Sequence, residues 1–290
     1  MLTRRSLLTL ALCTLAVSLS SAFGITRADE PRILFVTQSK TFVHNPVKRA
    51  NGELASSEIA MRQLAKEKGY KIDFTQNVAE DFTVEKLKNY NIVMFYTTGF
   101  LPISDEARDY FINDWLKQKG HGFIGVHSAS DTFHSAGNKE ENEKGRWYWE
   151  MIGGSFVSHP WTSGDDVVLA IHEPTNILMK PFGEEFKIRD EIYMYHNWQP
   201  ESVRVLMSLD MEKTKKKNPR HVPVSWIRSW GDGRIYYNNL GHNDTTWANP
   251  AYLTSINSAI EWINGKFDLE TTPNPEVSEQ QEEAAKKAAG

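Results

Sequence analysis

Short apolar runs alternate with helix-spaced stretches through the first half of the chain. Pro31 to Thr37 (PRILFVT) is apolar and closes on polar residues, which predicts a buried first strand. Glu53 to Lys68 carries Leu54, Ile59, Met61, Leu64 and Ala65 ahead of Gly69, the spacing and stop signal of a helix. Lys71 to Thr75 predicts a short strand, and Asn91 to Thr97 (NIVMFYT) a buried one. Ser104 to Lys119 reads as a helix with Ser104 as N-cap and Gly120 at its end. Gly122 to Val126 (GFIGV) is the next strand. Strands that are apolar throughout, separated by helices, imply parallel pairing with both faces covered. The expected fold is α/β: a doubly wound three-layer sandwich with a mostly parallel central sheet.

The second half changes character. Asp166 to Ile171, Phe186 to Ile188, Arg204 to Leu209, Pro223 to Ser229 and Arg234 to Asn238 read as short strands joined by turns. Pro250 to Asn264 reads as a helix ended by Gly265. The stretch 267–290 is charged, with Pro273, Pro275 and EEAAKKAAG, and is expected to be a flexible tail. No internal repeat or linker divides the rest, so one domain over 31–266 is expected.

Residues 1–28 stand apart. Arg4 and Arg5 precede an apolar run from Leu7 to Leu19, followed by small residues. This is the pattern of a cleaved export signal, too short for a membrane-spanning helix. Thr3-Arg4-Arg5-Ser6-Leu7-Leu8 also resembles a twin-arginine signal. The expected location is periplasmic or extracellular, with no stable membrane insertion after cleavage. The only cysteine, Cys13, lies inside this segment. The mature chain would then have no thiol, which excludes a cysteine nucleophile, an internal disulfide and a cysteine-based metal site. Over the 290 residues, 33 Lys and Arg stand against 37 Asp and Glu, a net charge of −4. No general attraction to nucleic acid follows. The one basic run, Lys213 to Lys217 around Thr214, reads as a solvated loop.

In a parallel sheet, ligands bind beyond the carboxyl ends of the strands. A sharp turn after GFIGV would raise His127 to the top of the sheet, in the manner of a nucleophile elbow. Ser128 is a rival, but Gly125-Val126-His127-Ser128-Ala129 is not the Gly-x-Ser-x-Gly of serine hydrolases. His44 lies in the loop after the first strand, His159 precedes Pro160-Trp161, Asp190-Glu191 follows a strand, and His242 follows another.

Several stretches together resemble the ThuA-like (trehalose utilisation) family of the class I glutamine amidotransferase-like superfamily. They are Val93 to Gly99, Gly122 to Ala129 with Asp131-Thr132, Gly153-Gly154-x-Phe156-x-x-His159-Pro160, Asp190-Glu191-x-Tyr193, Pro223-Val224-x-Trp226, and Gly233 to Tyr237 through Leu240-Gly241-His242. The resemblance runs from about Pro31 to Gly265. It implies a flavodoxin-like sheet, with His127 where an amidotransferase has its cysteine and His242 roughly at the amidotransferase histidine. Glutaminase activity does not carry over without the thiol. The family association with disaccharides and keto-sugars implies a substrate class rather than a reaction. Asn91 and the segment His172-Glu173-Pro174-Thr175 depart from the family pattern.

His127, His242, Glu191 and Asp190 are therefore the catalytic candidates, suited to proton abstraction beside a keto-sugar carbonyl. His44, Tyr96, Thr98, Ser128 and Asp131 are expected to hold substrate. So are His159, Trp161, Tyr193, Trp226 and Arg234, with Trp147 and Trp149 as further aromatic platforms. His44, His127, His159 and His242 are also candidate ligands for a divalent metal such as zinc, gathered from separate loops. The segment 130–150 reads as a lid or a passive insertion. The expected partner is a small sugar or keto-sugar. Isomerase, epimerase or lyase chemistry is the leading reading. A non-catalytic sugar-binding accessory protein and a metal-dependent hydrolase are the alternatives.

Overall fold

The computed structural model describes residues 30–134 and 139–290. The expected export signal, 1–28, and part of the 130–150 segment lie outside them. Among the described residues the strands are β1 (Arg32–Val36), β2 (Lys71–Thr75), β3 (Ile92–Phe95), β4 (Gly122–Val126), β5 (Ser155–Trp161), β6 (Asp166–Ile171), β7 (Glu185–Arg189), β8 (Ile192–His196), β9 (Arg204–Leu209), β10 (Pro223–Trp230) and β11 (Gly233–Asn238). Nine form one sheet in the order β2-β1-β3-β4-β11-β10-β9-β6-β7, while β5 and β8 pair as a separate ribbon.

The five strands from β2 to β11 in that order are parallel. Beyond β11 the sheet continues antiparallel through β10, β9, β6 and β7. The change follows from connection length: β10 and β11 are joined by a tight turn, which permits only antiparallel pairing. This is the expected α/β, flavodoxin-like sandwich with an antiparallel extension.

Alternation along each strand splits the core in two. Ile33, Phe35, Met94, Ile124 and Tyr236 pack under α1 (Ser56–Lys68) and a later helix, Pro250–Ile263. Leu34, Val36, Val93, Phe95, Phe123 and Tyr237 face the other way, against α2 (Asp105–Tyr110) and α3 (Arg146–Ile152). Ser104 caps α2 by accepting from the Ala107 amide at 3.2 Å, as its position predicts. The helix expected to reach Lys119 instead passes into a π turn over Phe111–Trp115, where the Leu116 amide donates to the Phe111 carbonyl. That wider turn sets Trp115 fully inside, its Nε1 donating to the Leu87 carbonyl.

Glu58, fully buried in the first turn of α1, ties the sheet to the loop after β1. It accepts from the Ala55 amide, from the Thr37 hydroxyl and from the Arg49 guanidinium. One carboxylate thus fixes the helix start, the end of β1 and the far end of the loop that carries His44.

The C-terminal stretch, expected to be flexible, is folded. Labelling the Pro250–Ile263 helix α4, the chain ends in α5 (Pro275–Ala289), with Ala285 and Ser278 buried. Asn274 pairs with β9 like a strand residue, accepting from the Val205 amide at 2.7 Å and donating to its carbonyl at 3.0 Å. Glu282 accepts from the His221 amide at 2.7 Å. The docking is largely polar, so the apolar pattern that reveals other helices is weak here.

Two predictions follow from the packing of β9 and α5. Asn274→Ala leaves both buried Val205 groups unpaired and is expected to cost about 2–3 kcal/mol in denaturant unfolding; a cost under about 0.5 kcal/mol, the surface norm, would mean α5 is not part of the cooperative unit. The second concerns acid. His172 and His221 both hydrogen-bond the Ser208 hydroxyl, and burial pushes them down to about 4 and about 3. Folded, they stay neutral, while the unfolded chain protonates its histidines near about 6.5. Their contribution to stability is complete above that value and is lost as pH falls from about 6.5 toward 4. Urea midpoints at pH 7.5 and pH 5 test this; equal midpoints would contradict it.

Candidate functional site

The ends of β1, β3, β4 and β11 converge at one edge of the sheet, across the switch point between β1 and β3, which the β2–β3 connection creates by crossing over β1. His127 begins a tight turn, His127–Asp131, directly after β4, and its φ is +44°. Left-handed backbone at a non-glycine residue is strained and must be held in place. Three contacts hold it. The Tyr237 hydroxyl donates to the His127 carbonyl, the Ser130 hydroxyl donates to the same oxygen at 3.4 Å, and His127 Nδ1 lies 2.8 Å from the Asn239 carbonyl. Gly125 makes the first possible, because a Cβ there would lie 2.8 Å from Tyr237 Cδ2. A carbonyl only accepts, so Nδ1 carries the proton and a neutral His127 turns the lone pair of Nε2 outward.

Around that lone pair stand three partners from other loops. His242 Nδ1 is 3.2 Å away and Glu191 Oε1 3.6 Å. His242 Nδ1 and Glu191 Oε1 are themselves 3.0 Å apart. His44 completes the group, its ring 4.9 Å from that of His127 and 5.0 Å from that of His242. His159, with a side chain 48% exposed, reaches the other carboxylate oxygen, Nδ1 to Oε2 at 3.2 Å. Burial pushes His44 down to about 2, helped by His127 and His242, so this imidazole is neutral. For Glu191 burial acts upward, and His127 and His242, once protonated, act downward through their hydrogen bonds and charges and hold the carboxyl below its usual range. One ring nitrogen each from His44, His127 and His242, with one Glu191 oxygen, lie within 4.8 Å of one another, a set that can hold a metal ion.

The other expected residues divide by role. Tyr96 and Tyr193 wall the cluster: Tyr193 OH is 3.2 Å from His44 Nε2, and Tyr96 packs its ring against His44 and His127. Thr98 is buried and pins the His44 loop, donating to the Phe42 carbonyl. Ser128 is fully enclosed, with no partner for its hydroxyl among the described residues. Asp131 ends the His127 turn, and burial pushes it up to about 7.

Asp190, expected to be catalytic, is scaffold. It is fully buried, and its two oxygens accept from the amides of Glu191, Gly241 and Asn243 and from the Thr246 hydroxyl. Burial pushes its pKa up, yet four donors facing both oxygens suit the ionised form. It locks the loop of His242 to the turn of Glu191. Gly241, at φ +128°, gives that loop a bend other residues rarely adopt, and its carbonyl accepts from Tyr96 OH and Trp247 Nε1.

Three expected sugar-binding residues lie elsewhere. Trp161 is fully buried, its Nε1 donating to the Lys216 carbonyl. Trp226 is buried against Tyr237, with ring centroids 4.2 Å apart, and donates to the Ile152 carbonyl. Arg234 opens β11 at the opposite edge of the sheet, beside Gly122, and is paired with Asp268. Trp147 packs into the second core layer, and Trp149 donates to the Asn142 carbonyl. Besides Tyr96 and Tyr193, the aromatic rings at the cluster are Phe42, 62% exposed and edge-on to His44 at 4.7 Å, and Phe156, 4.2 Å from Tyr193 and stacked over His159. Sequence reading missed both, although an apolar Phe42-Val43 in a polar loop was a usable signal. It also missed Asn239, whose carbonyl orients His127 and whose carboxamide pairs with the Tyr193 backbone.

Comparison with known proteins agrees with this architecture. The sequence matches the ThuA family, described as trehalose utilisation, over residues 32–263. A ThuA-like protein of Bacteroides uniformis superposes with a TM-score of 0.63 at 20% identity, covering 88% of this chain and 99% of the other. A ThuA-like protein of Parabacteroides merdae gives 0.58 at 14% identity, covering 86% and 99%. A cytoplasmic protein of Salmonella typhimurium gives 0.52 at 10% identity, covering 79% and 98%. At these identities the likeness is one of fold. No curated protein matches the chain.

Asp190→Asn tests the scaffold role. The amide would turn a donor toward buried N–H groups, with an expected loss of about 2–4 kcal/mol in denaturant unfolding. An unchanged stability would show that Asp190 is free to face a ligand.

Proposed function

Because the chain belongs to the ThuA, or trehalose utilisation, family, we propose that the imidazole–carboxylate cluster acts on a sugar, disaccharide or keto-sugar by moving a proton beside a carbonyl. The observation that carries this reading is the division of Glu191. Its Oε1 faces His127 and His242 inside, while Oε2 faces the exposed His159. A carboxylate so placed can take a proton from the carbon next to a keto group and share it with His159. The opposite side polarises the carbonyl oxygen, through the N–H of His242 or a bound cation such as zinc. Returning the proton to the neighbouring carbon gives isomerisation, and to the other face epimerisation. Loss of a leaving group one carbon further on gives elimination. Phe42 and Phe156 supply apolar faces for the C–H side of a sugar ring.

The charged start and apolar run of residues 1–28 support export, which would put this chemistry in the periplasm or outside the cell. A non-catalytic sugar-binding role is the second reading, favoured by the near-complete burial of His44 and His127.

A panel of disaccharides and keto-sugars, followed by product analysis, separates the two. Turnover by the wild type is expected to fall at least about 100-fold in His127→Ala and in Glu191→Gln, with thermal unfolding still cooperative. Full activity in both variants would end the catalytic reading. Calorimetric binding without turnover across the panel would favour the accessory role.

A further inference from the structure

We propose that Nε2 of His127, Nδ1 of His242, Oε1 of Glu191 and one ring nitrogen of His44 hold a resident divalent transition-metal ion, with zinc the best match. The inference deepens the reading of this cluster as the active site and shares its residues.

The spacing carries it. His242 Nδ1 to Glu191 Oε1 is 3.0 Å, His127 Nε2 to His242 Nδ1 is 3.2 Å, and His127 Nε2 to Glu191 Oε1 is 3.6 Å. Around an ion with bonds of about 2.0–2.1 Å, tetrahedral ligand atoms stand about 3.3–3.4 Å apart. The three atoms therefore mark one face of such a tetrahedron, and a single ion fits at bonding distance from all of them.

The proton inventory points the same way. His127 spends its one neutral-state proton on the Asn239 carbonyl, so Nε2 and Glu191 Oε1 confront each other as two acceptors. One proton on His242 can serve both only as a divided, bent hydrogen bond, whereas a cation satisfies both directly. His44 gives a separate indication. It is almost fully buried, its Nε2 is engaged by Tyr193 OH, and its Nδ1 has no hydrogen-bond partner. An uncompensated polar atom in the interior is costly, and metal ligation is one of the few ways to relieve it.

The surroundings match the outer shell of a metal centre. Metal-bound imidazoles characteristically donate their second N–H to a carbonyl, as His127 does to Asn239. The ligating carboxylate is oriented through its other oxygen by His159, and its loop is fixed by Asp190. Imidazole with one carboxylate favours zinc, nickel, iron or copper over magnesium or calcium. With all four side chains bound, the ion would polarise a sugar carbonyl or hydroxyl as a Lewis acid only by taking its oxygen as a fifth ligand.

The test is metal content and binding, read without reference to turnover. Full-length protein purified without chelator is analysed for metals, then stripped and titrated calorimetrically with zinc chloride. About one equivalent per chain is expected, with a raised thermal midpoint on loading. His242→Ala and Glu191→Gln should each weaken zinc binding at least about 100-fold, and His159→Ala about tenfold, because it touches only the carboxylate. Cooperative unfolding of each variant confirms that the fold persists. Absence of zinc binding by the stripped wild type would overturn the proposal, and so would equal binding by His242→Ala. An ion that binds as expected in a protein inert toward every sugar would instead sink the functional reading and leave the metal centre standing. Sugar turnover by a protein that takes up no zinc would do the reverse.

Discussion

A carboxylate taken out of water needs compensation from its neighbours, and in this fold that condition falls on Glu191. Burial opposes its charge, and the imidazoles of His127 and His242 on one side and of His159 on the other offset it once they carry a proton toward it. None of these partners is close in sequence. His127 and His242 arrive on different loops and His159 on β5, and the loops that build the site have buried anchors of their own. Glu58 fixes the loop of His44 through Arg49 and Thr37. Asp190 binds the Glu191 turn to the His242 loop. Asn239 and Tyr237 hold His127 in a strained backbone state. The site is the point at which several independently satisfied networks meet.

This explains what was legible in the sequence. The parallel strands declare themselves because residues such as Ile92 to Phe95 are buried on both faces, which leaves an unbroken apolar run. The turn after β4 was equally plain, since it puts one side chain at the sheet's active edge. Proximity to a candidate loop was a poor guide to side-chain direction. Trp226 lies on a strand that reaches the site, but its ring packs into the layer beneath, over Tyr237. Arg234 fell at the wrong edge because the β10–β11 hairpin turns at the far side of the sheet, so β11 begins where β4 does. Asp190 and Glu191 look interchangeable in sequence, yet one has its oxygens filled by three backbone amides and the Thr246 hydroxyl and the other faces the imidazoles. The tail misled for a different reason. Its helix docks through Asn274 and Glu282, and polar docking leaves little trace in hydropathy.

The two oxygens of Glu191 give the cluster an inside and an outside. Inside, the tightly spaced ring nitrogens suit the polarisation of an oxygen, by the N–H of His242 or by an ion. Outside, His159 links the carboxylate to solvent and stacks with Phe156. Such a division lets one buried group handle a proton while its neighbours handle charge. This chain belongs to the ThuA family, and the sugar chemistry proposed for it rests on that division.

Proton abstraction beside a carbonyl can be observed directly. A keto-disaccharide incubated with the protein in deuterium oxide would be followed by proton NMR at the carbon adjacent to the keto group. Glu191 acting as the base requires that this position exchange for deuterium with wild-type protein and stay protonated with Glu191→Gln. Exchange at the same rate with both proteins would contradict that role for Glu191.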